Sequence, residues 1–240
     1  MNYLWAVITD PGLVRGHNED AVWPRPERGG SAAGEATDSL VAAVADGMGG
    51  HVGGEVASRL AIEAAIAEPG DALARVRAAN AAVVGTALDR PRLAGMGTTM
   101  TLALFSDAAV EIGHIGDSRA YLYRAGELVQ LTRDHSLMAD MIASGELSPE
   151  QAAVHPFRSV ITRALGMEST VVIDRVPRDL LPGDRVLLCT DGLTTMLHHS
   201  EIAALLAGKS GPEAAAALVE AANRAGGLDN TSMVLVDLPN

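Results

Sequence analysis

The sequence predicts an α+β fold with largely antiparallel sheets, and three observations carry the prediction. Stretches with strand character follow one another in hairpin-like series, as in "TTMTLALF", "AAVEIGHIG" and "RAYLYRAGELVQL" between residues 98 and 131. Stretches with helical spacing are grouped elsewhere in the chain. The alternating βαβ units that would build a parallel sheet are missing.

Taken in order, "PRPERGGSAAGEATDS" (24–39) is rich in Pro, Gly and charge and reads as an exposed loop. The continuous apolar run "LVAAVA" (40–45) reads as a buried strand, and "GEVASRLAIEAAIA" (54–67) and "DALARVRAANAAVVGTAL" (71–88) as helices. The three strand stretches follow, then a more polar region from about 132 to 168. Within it, Ser148 is an N-cap, Pro149 takes the first helical position, and Glu150 and Gln151 fill the first turn, which predicts a short helix. "DRVLLCT" (184–190) is a strand, two helices begin near Ser200 and Pro212, and "TSMVLVDL" (231–238) is the final strand.

Composition narrows the function. A chain of 240 residues that is 48% hydrophobic buries a sizeable core and fits one domain spanning 1–240. Aromatics are only 3%, so aliphatic residues and Met must fill that core. With 18 basic against 30 acidic residues, the net charge of −12 lacks the cationic footprint that nucleic acid requires. Cys189 is the single cysteine, which excludes an internal disulfide and a Cys-rich zinc site and fits the reducing cytoplasm. No basic start with an apolar stretch opens the chain, and no apolar run reaches the roughly 18 residues of a membrane helix. The chain reads as soluble and complete, without a membrane partner.

One local pattern recurs. Asp46, Asp117 and Asp191 each end an apolar strand beside a glycine, and Asp229 precedes the last strand. In antiparallel sheets the end of one strand lies beside the start of its neighbour, so all four carboxylates can share one edge. Their repulsion and desolvation call for a positive partner. Only Arg119 adjoins them in sequence, and no lysine does. Hard oxygen donors without clustered His or Cys suit Mg²⁺ or Mn²⁺, and Gly47 would let backbone approach such an ion beside Asp46.

Six motifs, "RGHNED" (15–20), "ADGMGG" (45–50), "GMGTT" (95–99), "HIGDSR" (114–119), "TDG" (190–192) and "DN" (229–230), occur in the order and spacing of one family. The chain resembles the metal-dependent protein phosphatases, the protein phosphatase 2C or PPM family, over nearly its whole length, and its overall look is that of the bacterial serine/threonine-directed members. The resemblance implies a four-layer α-β-β-α sandwich of two antiparallel sheets flanked by helices, with a metal centre in the cleft at one end. It implies two Mn²⁺ or Mg²⁺ ions per chain and room for a third.

Carried over residue by residue, Asp46 would bridge both metals, Asp191 and Asp229 would hold the first, and the Gly47 carbonyl the second. Glu19 would hold waters of the second metal and Asp20 would support that shell. Asp117, with Asp191, matches the position of the third ion, and Asn230 would orient Asp229. Arg15 matches the arginine whose planar fork binds two phosphate oxygens. The implied reaction is hydrolysis of phosphoserine or phosphothreonine by in-line attack of a metal-activated bridging water. The implied partners are phosphoproteins and a cognate serine/threonine kinase, with the phosphatase itself a monomer. Two alternatives share the fold: a catalytically weak phosphoprotein-binding module, and a phosphatase that prefers phosphotyrosine or small phosphoesters. Eukaryotic members carry a proposed His general acid where this chain has Met48; His51 is near in sequence, and the acid is left unassigned.

The flap of the bacterial members corresponds to about residues 135–168, where Arg158 and Arg163 either read acidic phosphopeptides or are solvated or paired with nearby carboxylates. Other chemistry fares worse. Cys189 lacks the arginine six positions on that a cysteine-based phosphatase needs, the residue there being Thr195, and it reads as a buried strand residue. His198 and His199 are adjacent and lack ligand spacing, which fits surface or capping roles. His114 and His135 read as structural, with His114 near enough in sequence to tune Asp117. The loop from 47 to 54 has no Gly-Lys-Ser/Thr and opens on an aspartate, so it does not suit nucleotide phosphates.

Overall fold

The computed structural model describes residues 1–26, 30–49 and 53–239. In chain order the elements are β1 (Asn2–Asp10), β2 (Asp20–Trp23), β3 (Ser31–Thr37), β4 (Ser39–Met48), α1 (Gly53–Ala67) and α2 (Ala72–Asp89). Then follow β5 (Gly97–Thr98), β6 (Met100–Ser106), β7 (Ala109–Ile115), β8 (Arg119–Arg124) and β9 (Glu127–Gln130). The second half holds α3 (Leu137–Ala143), α4 (Pro149–Ala153), β10 (Asp174–Asp179), β11 (Arg185–Cys189), α5 (Asp191–Thr194), α6 (His199–Leu206), α7 (Gly211–Arg224) and β12 (Thr231–Asp237).

The strands form two antiparallel sheets, one in the order β3-β1-β12-β11-β8-β9 and one in the order β10-β7-β6-β4-β2, with β5 on the end of β4. The α+β sandwich expected from the sequence is what forms. Period-two alternation explains how the sheets stack. In β12, Val234 and Val236 face the layer between the sheets while Met233 and Leu235 face α7; in β4, Ala42 and Val44 face inward while Ala43 and Ala45 meet α1. Both faces of these strands are therefore apolar. Small residues at helical spacing, Ala57, Ala61 and Ala65 in α1 and Ala72, Val76, Ala79 and Val83 in α2, let those helices lie close to the second sheet. The start of α2 is fixed by Asp71, whose carboxylate accepts from Ala74 N–H at 2.8 Å. Ser148 and Gln151 form the expected capping box at α4.

Among the elements that depart from the sequence reading are three strands. The stretch expected as an exposed loop contains β3, which pairs with β1 from Asn2↔Thr37 to Ile8↔Ser31. Its small and polar side chains are mostly exposed, because an edge strand needs only backbone bonds on one side. Residues 2–10, given no element from sequence, form β1 with Tyr3, Trp5 and Val7 turned toward the inter-sheet core. The charged β10, with Pro177, pairs with β7 and forms one edge of the second sheet, where proline is tolerated.

Candidate metal centre

Asp20 and Asp46 are directly opposite each other in the β2–β4 pairing. Val22 and Val44, two residues along each strand, face the inter-sheet core, so both carboxylates point toward that same layer at its open end. Like charges opposite one another destabilise a strand pair. Asp191, at the first turn of α5, joins them, and its charge is among those that raise Asp46. The β7–β8 turn adds Asp117, and the residue pair before β12 adds Asp229. The structure thus gathers all four aspartates expected at one edge, with Asp20 as a fifth.

Each of the five residues keeps some solvent exposure, while individual oxygens are sunk among protein atoms. The Oδ1 atoms of Asp20, Asp117 and Asp191 are buried without a hydrogen-bond partner. Burial, reinforced by neighbouring carboxylates, pushes Asp20 and Asp117 up to about 7 and holds Asp46 and Asp191 above the usual carboxylate range. Arg15 and Arg119 offset this only in part, because each is engaged by a carboxylate of its own. Arg119 makes a two-pronged ion pair with Asp134, at 2.9 and 2.7 Å, and Arg15 Nη2 lies 2.6 Å from Asp229 Oδ2.

The backbone around these groups is tightly braced. Asp46 N–H donates to Thr99 Oγ1 at 2.9 Å, and the Asp46 carbonyl accepts from Thr99 N–H and the Thr98 hydroxyl. Thr99 Oγ1 also shares a 2.8 Å hydrogen bond with Ser118 Oγ, next to Asp117. The two threonines of "GMGTT" therefore connect Asp46 to the Asp117 turn. Nothing in the motif itself assigns them that task; the signal is two adjacent hydroxyls beginning a buried strand. Gly47 is obligatory for a packing reason, since a Cβ there would stand 2.1 Å from the Gly54 carbonyl oxygen and 2.7 Å from that of Glu19.

Asn230 makes contacts beyond the one to Asp229. Its backbone N–H donates to Asp229 Oδ1 at 2.9 Å, but its side chain serves the loop before β2. Asn230 Oδ1 accepts from Glu19 N–H at 2.8 Å, and Nδ2 donates to the carbonyls of Pro11 and His17 at 2.9 Å each. The side chain fastens the Glu19 loop to the start of β12. Asp20, in turn, accepts from Thr190 Oγ1 at 2.9 Å.

The remaining candidates fall outside the cleft. Cys189 is fully buried and burial pushes its thiol up to about 12, so it is inert. His114 is buried, bonded to Thr101 Oγ1 and the Arg133 carbonyl, and does not engage Asp117. His135 accepts from Gly116 N–H through Nδ1, with Nε2 3.1 Å from Asp174 Oδ2. His198 caps α6 and His199 Nε2 meets the Leu128 carbonyl. Arg163 pairs with Asp174 at 3.0 Å, while Arg158 is exposed. His51 lies outside the described residues.

The donor set fits hard divalent cations in charge, in oxygen chemistry and in its unpartnered buried atoms. Among the described residues, no three His, Cys, Asp or Glu side chains already close on one point as a finished ligand set. The carboxylates able to hold a cation are those of Asp46, Asp191, Asp229 and Asp117, with Glu19 and Asp20 at the margin.

Fold and site together define a two-sheet sandwich with a cluster of aspartates at one end of the layer between the sheets. The chain belongs to the protein phosphatase 2C family, whose sequence pattern matches residues 29–215. It is 42% identical to the serine/threonine protein phosphatase PstP of Mycobacterium tuberculosis over 98% of its own length and 45% of that protein, so it spans about half of that relative. The serine/threonine phosphatase stp of Listeria welshimeri is 37% identical, with 95% of this chain and 93% of that one aligned. Among solved structures, the catalytic domain of PstP in complex with two manganese ions superposes with a TM-score of 0.86 at 39% identity, over 100% of both chains.

Proposed function

We propose that this chain is a single-domain, metal-dependent protein serine/threonine phosphatase. The observation that carries the reading is the convergence of five aspartates in one cleft, three with buried oxygens that have no partner. Likeness over nearly the full length to proteins named serine/threonine phosphatases supports it.

Asp46, Asp191 and Asp229, the Gly47 carbonyl and Glu19 would hold a pair of Mn²⁺ or Mg²⁺ ions, with Asp117 and Asp191 available to a third. When bound, such ions acidify water near neutral pH and supply positive field for a phosphoryl group. The protein's own residues do the rest. Asp46 is held by Thr98 and Thr99 so that its carboxylate stays in the cleft. Arg15, at the rim, exchanges Asp229 for the substrate phosphate, where its planar fork accommodates two oxygens. Asn230 keeps the Glu19 loop seated while this happens. The substrates are phosphoproteins supplied by a serine/threonine kinase, and the protein acts as a cytoplasmic monomer.

The test is hydrolysis of a phosphothreonine peptide with Mn²⁺ and with EDTA, beside Asp46→Asn and Asp191→Asn. Turnover that requires the metal and disappears in both variants supports the reading; full activity in EDTA, or in either variant, refutes it.

A further inference from the structure

A groove of about 290 Å³ lies between the returning arm of the flap and the loop that carries Gly47. Its walls are mainly apolar: Met48, Ile115, Ile161, Met167, Val171 and Val172. Met48 follows Asp46 by two residues along β4 and Ile115 precedes Asp117 by two, so two of the segments that line the groove continue within two residues into the carboxylate cluster. Met167 and Val172 are 60% and 71% exposed, an unfavourable placement for side chains that serve packing alone.

The walls are set in place by backbone bonds. Thr98 and Leu165 exchange both of theirs, at 3.1 and 2.9 Å, which ties the flap arm to β5. β5 in turn pairs with Gly47 and Met48. Gly97 lies against both methionines: a Cβ there would stand 3.3 Å from Met167 Sδ and 3.4 Å from Met48 Cγ, so its lack of a side chain leaves room for the two. The groove thus keeps its position relative to the metal loop whatever the flap tip does.

The charges that border it do not favour an acidic occupant. Arg163 is engaged by Asp174 at 3.0 Å, and the other charged lining residue is Glu168. The volume falls just under the roughly 300–1,000 Å³ of pockets that take whole small molecules, and suits one side chain. An extended peptide advances about 3.3–3.6 Å per residue. A phosphoryl group at the carboxylate cluster therefore brings a residue one to three positions away over Met48.

Resting on the phosphatase reading, we infer that this groove is a specificity subsite for an aliphatic side chain close to the phosphorylated residue of the substrate. Met48 and Met167, flexible and polarisable, adapt to Leu, Ile or Met.

The experiment compares phosphothreonine peptides identical except for Leu, Ala or Asp at each position within three of the phosphothreonine, with p-nitrophenyl phosphate as a substrate that cannot reach the groove. At one position Leu is expected to exceed Asp by about 10-fold in kcat/KM, chiefly through KM. Met167→Asp reduces that preference to within about 3-fold and leaves p-nitrophenyl phosphate hydrolysis unchanged. Equal use of all peptides, a preference for Asp, or parallel loss of p-nitrophenyl phosphate activity in Met167→Asp overturns the inference. Anisotropy titrations with non-hydrolysable phosphonate peptides carry the same comparison without turnover. Leu-selective binding with no hydrolysis of any phosphoester would refute the phosphatase reading and uphold the groove; non-selective binding would refute the groove alone.

Discussion

Arg15 Nη2 stands 2.6 Å from Asp229 Oδ2, joining the loop after β1 to the residue pair before β12 across the mouth of the cleft. Both partners keep solvent contact, with side chains 54% and 34% exposed, so the pair adds little to stability. Its value is that each partner has another task. Arg15→Ala is expected to change the thermal midpoint by no more than about 2–3 °C. It should lower kcat/KM for a phosphopeptide by about 100-fold, and Arg15→Lys should recover only part, because an ammonium cannot bind two oxygens in a plane. Steady-state kinetics and a thermal melt of the same preparations decide; a fall in midpoint that matches the loss of activity would make Arg15 structural.

The juxtaposition of Asp20 and Asp46 predicts an inverse relation between stability and metal response. In EDTA, Asp46→Asn removes one carboxylate from a mutually repelling set and should raise stability by on the order of 1 kcal/mol. In Mn²⁺ the unsubstituted protein should gain stability as the concentration rises above its dissociation constant, and the variant should gain far less. Melts across a Mn²⁺ series would expose the crossing of the two curves. Were Asp46→Asn destabilised in EDTA, the carboxylates would not be in conflict.

Asn230 is 5% exposed and its side chain satisfies three backbone groups of the Pro11–Glu19 segment. Removing it leaves Glu19 N–H and two carbonyls to find other partners, at roughly 1–3 kcal/mol for a buried group that finds none. Asn230→Ala should therefore lose about 2–4 kcal/mol in urea unfolding and weaken Mn²⁺ binding through the released Glu19 loop. Asn230→Asp keeps the acceptor for Glu19 N–H but loses both donors and adds a charge beside the cluster; it should be no better than alanine. If Asn230 only oriented Asp229 through its backbone N–H, both variants would melt like the parent.

Much of this site was legible in the sequence because its chemistry is written in short local patterns. A carboxylate beside glycine at the end of an apolar run fixed Asp46, Asp117 and Asp191, and antiparallel pairing then brought Asp229 to the same edge. What escaped was long-range. The bracing of Asp46 by Thr99 spans 53 positions and the hold of Asn230 on Glu19 spans 211, and no local spacing encodes either. The missed strands have the same origin. β3 has no apolar alternation because, as an edge, it buries almost nothing, and its existence depends on the free side of β1. The charges of β10 hid a strand whose partner, β7, lies about 60 residues earlier.

The histidine pair behind the cluster provides a pH test separable from the carboxylates. His114 is fully buried, donates from Nε2 to the Arg133 carbonyl and shares a hydrogen bond with Thr101 Oγ1 at Nδ1. Burial, with the His135 ring 4.8 Å away, lowers it to about 4, against the opposing influence of the Arg133 carbonyl, Asp134 and Asp174. Since the folded value lies below the unfolded one of about 6.5, only the unfolded chain takes up this proton as pH falls between the two. The contribution to stability is complete above about 6.5 and is lost progressively toward about 4, amounting to roughly 3 kcal/mol at the lower end. Asp20 and Asp117, whose values are raised, act in the opposite direction in metal-free protein, so total stability alone would mask the effect. The difference between the parent and His114→Gln isolates it. Glutamine can still donate to the Arg133 carbonyl and accept from Thr101, but takes up no proton in the unfolded chain. The variant should be less stable than the parent at pH 7.5 and should approach or overtake it by pH 5, in urea unfolding at fixed ionic strength. A stability difference that stays constant over that range would mean that His114 is not held neutral by its burial.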